Sequence, residues 1–94
     1  MKAIRADAVK KFTDIPNVGS AMAKDFEQLG IKNPKELKGK NALTLYKKMC
    51  VITKSRQDPC VLDTYMAVID FMNGAKPKPW WHYTAERKHK YPNI

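Results

Sequence analysis

Several protein classes are excluded by what this chain has little of. Only two of its 94 residues are cysteines, Cys50 and Cys60. Met1 to Asp7 places charges early with no apolar stretch behind them, so no secretory leader is expected there. Reduced thiols in a cytoplasmic protein are therefore expected, and a disulfide framework is not. No apolar run approaches the roughly 20 residues of a membrane span. Strict alternation of apolar and polar residues is missing too, which argues against a sheet. Acidic residues are few, nine against 18 Lys and Arg. They are scattered over caps and helix edges, with no convergent pair for acid–base chemistry. No Cys-x-x-Cys occurs, no histidine pair stands at i, i+4, and no Gly-rich loop follows a strand. An enzyme is not expected.

What the chain does have is positive charge, a formal +9 at neutral pH. A basic surface concentrates polyanions, and nucleic acid is the most abundant intracellular one.

Apolar residues recur at helical spacing throughout, and the reading is all-α with five helices. Ile4, Ala8 and Phe12 predict a first helix over Ala3 to Phe12. Pro16, Asn17 and Gly19 then form a tight turn, and Asn17 and Gly19 are residue types that tolerate positive φ. Ser20 is read as the cap of a second helix to about Leu29, with Met22, Phe26 and Leu29 inward and Gly30 as its stop. Asn33-Pro34-Lys35-Glu36 has the layout of a capping box opening a short third helix. Ala42 to about Ile52 is the fourth. Asp58-Pro59 opens the longest, to about Asn73, with Asp63, Thr64, Ala67 and Asp70 as a polar edge. Residues 1–74 are read as one domain. Residues 75–94 are read as an extended basic tail rich in Pro and Trp, with five Lys or Arg against one Glu, packed at least partly on the bundle.

Ile15-Pro16-Asn17-Val18-Gly19-Ser20-Ala21-Met22-Ala23-Lys24 resembles the helix-hairpin-helix signature. A turn without bulky side chains admits a phosphate to the free N–H groups opening the next helix, where the helix dipole adds positive character. Asn17, Val18, Gly19, Ser20 and Lys24 are the candidate contacts there. Lys76, Lys78, Arg87 and Lys88 in the tail are candidate supports, and Trp80, Trp81 and Tyr83 beside them suit either base stacking or anchoring of the tail. The resemblance also implies a monovalent cation on carbonyls of the hairpin; no other cofactor and no catalytic residue is expected. Binding of nucleic acid, most of all DNA, without sequence preference is the function these features favour. The alternative is a protein-interaction adaptor whose hairpin is purely structural.

A wider resemblance spans most of the chain. Ile15-Pro16-Asn17-Val18-Gly19, Leu29-Gly30-Ile31, Glu36-Leu37-Lys38-Gly39, Leu45-Tyr46-Lys47-Lys48-Met49-Cys50, Asp58-Pro59-Cys60-Val61-Leu62 and Trp80-Trp81 together resemble small bacterial proteins of the pathogenicity-locus, mitomycin-resistance-like family. The helical part is also similar to the C-terminal domain of the TfoX competence regulator. The resemblance implies a helix-hairpin-helix (SAM-like) bundle. Cys50, near the end of one helix, and Cys60, near the start of the next, suit core packing. The helix dipole at Cys60 would favour its thiolate.

Overall fold

The structure, a computed structural model, describes residues 2–94. Every described regular element is helical: four α-helices, α1 (Ser20–Gln28), α2 (Ala42–Thr53), α3 (Pro59–Met72) and α4 (Thr84–Lys90), and four short 3-10 turns. Five α-helices were expected, and two of those are replaced. None of the helices is long and apolar enough to cross a membrane.

The predicted first helix is absent. Ala6–Ala8 and Phe12–Asp14 form 3-10 turns joined by extended backbone at Val9. The inward residues are Ala3, Ala6, Val9, Phe12, Ile15 and Val18, one in every three, and not the predicted Ile4 and Ala8. A three-residue period fits 3-10 and extended chain better than an α-helix. The Asp14 carboxylate fixes this path by accepting from the Lys10 and Lys11 amides at 3.0 and 3.1 Å. Those two bonds hold its carboxyl below the usual carboxylate range. The Asp14 carbonyl in turn accepts from the Ala3 amide at 2.7 Å.

The predicted third helix is also a single 3-10 turn, Pro34–Leu37. Asn33 accepts from the Lys35 amide as a cap, while Glu36 reaches back to the Lys32 amide and the Asn33 side chain. With Gly39 at φ +79° the chain turns before an α-helical ladder can start. Asn41 caps α2 through the Thr44 amide, and Asp58 caps α3 through the Cys60 amide. Gly30 at φ +83° stops α1, and the Ile31 amide bonds back to the Phe26 carbonyl.

The central helix is α3, and it is enclosed on all sides. Phe26 bridges Phe12 and Tyr65, with ring centroids 5.4 and 5.6 Å apart. The expected polar edge of α3 is not a solvent edge, because the C-terminal segment covers it. Asp63 is 1% exposed and accepts Arg87 Nε at 2.8 Å and Thr84 Oγ1 at 2.8 Å. Two turns on, Asp70 accepts the Tyr83 hydroxyl at 2.5 Å. Burial, together with this carboxylate, pushes the Tyr83 phenol above its ordinary pKa. The residues expected to be an extended tail thus contain a 3-10 turn, Trp80–Tyr83, and α4. Only 75–79 remain extended, forming a strap of alternating Lys and Pro that leaves the end of α3.

Candidate nucleic-acid interface

The turn from Ile15 to Gly19 is built from opposite demands on its residues. Ile15 and Val18 are fully buried and anchor it, with the Val18 amide closing onto the Ile15 carbonyl at 3.1 Å. Asn17 takes the left-handed conformation at φ +73°, as its residue type allows. Gly19 does not. It is the N-cap of α1 at φ −101°, ψ −175°, extended backbone open to any residue, and a Cβ built there meets nothing within 4 Å. Ser20 is the first helical residue, not the cap, and no side chain caps this helix. The opening N–H groups of α1 therefore have no side-chain cap and a bare Cα before them; α4 also lacks a side-chain cap, whereas α2, α3 and the Pro34–Leu37 turn carry one.

The Asn17 side chain has a task that spacing along the chain did not reveal. Its amide donates to the Lys78 carbonyl at 2.8 Å, and its Oδ1 accepts from the Trp80 amide at 3.2 Å. Both bonds pin the strap against the turn, with Pro16 and Asn17 facing Pro77, Lys78 and Pro79 across a narrow cleft. Lys78 is thereby held beside the hairpin, its ammonium exposed. Trp80 is half-buried and packs edge-on against Trp81, which stays 64% exposed.

Of the other candidates, Ser20 and Lys24 are exposed on the first turns of α1, and Lys24 has no carboxylate partner among the described residues. Lys76 is exposed at the far end of the strap. Lys88 is exposed on α4 and makes no hydrogen bond to the turn. Arg87 is buried, its guanidinium committed to Asp63, so it serves the joint between α3 and α4. Val18 offers only its backbone.

Lys2 was overlooked as a site residue, since in sequence it is one charge among many. Its ammonium donates to the Thr13 carbonyl at 2.6 Å and to the Val18 carbonyl. The Val18 carbonyl belongs to the hairpin, on whose carbonyls the resemblance implies a monovalent cation, and Thr13 lies just before it. With Lys2 supplying the positive charge there, a free ion does not fit the same carbonyls.

The chain matches the family described as "Pathogenicity locus" over residues 5–89. It belongs to that family. It is also 42% identical over 76 residues to the mitomycin resistance protein McrB of Streptomyces lavendulae, covering 81% of this chain and 72% of the relative. No solved structure matches it. The shared region includes the hairpin, all of α1 to α3 and most of α4.

Cys50 lies in α2 and Cys60 near the start of α3. Both are free and half-buried. The Cys60 thiol is pushed up, first by burial and then by its hydrogen bond with Asp58, which overrides the helix dipole expected to lower it. Among the described residues no three His, Cys, Asp or Glu side chains converge as metal ligands.

Proposed function

We propose that this family member binds the DNA backbone without sequence preference, as a non-enzymatic protein of helix-hairpin-helix type. One observation carries the reading. Gly19 is a glycine that neither its backbone conformation nor its surroundings require. What its missing side chain leaves open is the approach to the uncapped amides of α1, the geometry an incoming phosphate uses. Lys24 on one side and Lys78 on the other supply charge to neighbouring phosphates. Lys2 adds a built-in cation beneath the turn. The name of the Streptomyces relative ties that protein to mitomycin resistance; for this chain, a resistance role exerted at nucleic acid is part of the proposal.

Gly19→Val tests the reading without disturbing the core, at a folding cost of about 1 kcal/mol or less. Titration of a fluorescein-labelled duplex at low salt should show Gly19→Val and Lys24→Glu each binding at least about tenfold more weakly, with unchanged circular dichroism. Wild-type affinity in both variants, or no binding by the wild type, would sink it.

A second reading, docking on a protein partner, draws on exposed Trp81 next to Trp80. Trp81→Ala would then abolish partner capture while leaving duplex affinity unchanged.

A further inference from the structure

A cavity of about 510 Å³ opens at the other end of the strap. Three separate stretches of chain line it: residues 4–7, Lys35 and Lys38 at the Pro34–Leu37 turn, and the continuous run from Met72 at the end of α3 to Lys76 in the strap. Each wall is held in place. The Ala3 amide bonds the Asp14 carbonyl, Asn73 Oδ1 accepts from the Gly39 amide at 3.0 Å, and the Ala75 amide returns to the Asp70 carbonyl.

Its lining combines two kinds of residue. Lys35, Lys38 and Lys76 are exposed lining residues with no carboxylate partner among the described residues, while the single lining carboxylate, Asp7, is paired with Arg5 at 3.0 Å. Like charges gathered round one cavity repel, and an anion between them relieves that repulsion. The other kind is apolar. Met72 is buried, and Ile4 stands 78% exposed, a large aliphatic side chain left out of the core.

We propose that this cavity binds one nucleotide unit, its phosphate among Lys35, Lys38 and Lys76 and its base against Ile4 and Met72. The volume lies in the roughly 300–1,000 Å³ range of small-ligand sites and suits a single nucleotide. Two sources share this chemistry, a free mononucleotide and the 5′-phosphorylated end of a strand. The site lies apart from the hairpin, so it does not depend on the DNA-binding reading.

The test is an amide-resolved NMR titration of the full chain with adenosine 5′-monophosphate, adenosine, inorganic phosphate, and a short single strand with or without a 5′-phosphate. The monophosphate should shift residues 4–7, 35–39 and 73–76, at least about tenfold more tightly than adenosine or inorganic phosphate. If only the 5′-phosphorylated strand shifts them, the ligand is a strand end; if the free nucleotide suffices, it is the mononucleotide. Lys38→Glu should weaken either by at least about tenfold, Ile4→Ser should remove the preference over inorganic phosphate, and Gly19→Val should change neither. No shift at these residues with the monophosphate or the phosphorylated strand overturns the proposal. So does inorganic phosphate binding as tightly as the nucleotide.

Discussion

Asn17 combines two properties that pull its sequence reading in different directions. Its backbone sits at φ +73°, which favours Gly or Asn, and its side chain makes two hydrogen bonds to the strap. Only Asn satisfies both. Asn17→Gly keeps the turn and loses the bonds, so it should cost about 1–2 kcal/mol. Asn17→Ala adds the left-handed penalty, about 1 kcal/mol more. Urea denaturation would rank the three proteins in that order, and equal stability of the two variants would contradict the strain argument. Gly19 is the reverse case, a glycine whose conformation asks for nothing special. The sequence explained both residues by one property of turns, positive φ, and that explanation holds for Asn17 alone.

Among the elements, α4 depends most on one contact. It has only seven residues, too few to be stable alone. Its attachment to α3 runs through the buried Asp63, which accepts from both Thr84 and the buried Arg87. Removing one partner leaves an uncompensated charge in the interior, so Arg87→Met should cost about 3–5 kcal/mol. Replacing the pair together, Asp63→Leu with Arg87→Met, should cost much less, because no lone charge remains. Denaturant melts of the single and double variants decide this, and additive losses would contradict it. The same pair shows why the polar edge of α3 was misjudged. Periodicity finds Asp63 and Asp70 on one face, but solvent and a cationic partner element both satisfy a carboxylate, and local pattern does not distinguish them. The absent first helix has a similar cause. Ile4, Ala8 and Phe12 fit a helical stripe, while Ala3, Ala6, Val9, Phe12 and Ile15 fit a three-residue one. Packing against the core chose the second.

At the scale of the whole molecule, the excess of positive charge acts on folding and on binding with opposite signs. The described structure pairs only three cations with carboxylates, against 18 Lys and Arg in the chain. Self-repulsion destabilises the fold, and salt screens it. Salt also weakens phosphate contacts by favouring the counterions that binding releases. Raising salt from about 50 to 300 mM should therefore raise Tm while lowering duplex affinity. The proposed hairpin contacts would engage two to three phosphates, so log affinity should fall against log salt with a slope of about −2 to −3. Exchanging sodium for potassium at fixed ionic strength should leave affinity unchanged, since Lys2 holds the hairpin carbonyls. A slope near zero, or a strong preference for one ion, would contradict these statements.

The sequence by itself determined the helical class, the family, the turn at Pro16 to Gly19, the capped starts at Asn33 and Asp58, and the basic character. These follow from local chemistry: φ preferences, side-chain caps within a few residues, and summed charge. Tertiary structure alone decided that the strap lies on the hairpin through Asn17, that Lys2 seats on its carbonyls, and that Arg87 turns inward to Asp63. It also brought Ile4, Lys35, Lys38 and Lys76 around one cavity. In each case the partners are far apart in the chain, 61 residues for Asn17 and Lys78. Which of 18 cations is buried, paired or left facing a cavity depends on which surfaces meet. That is set by how the whole core packs, and no window of sequence contains it.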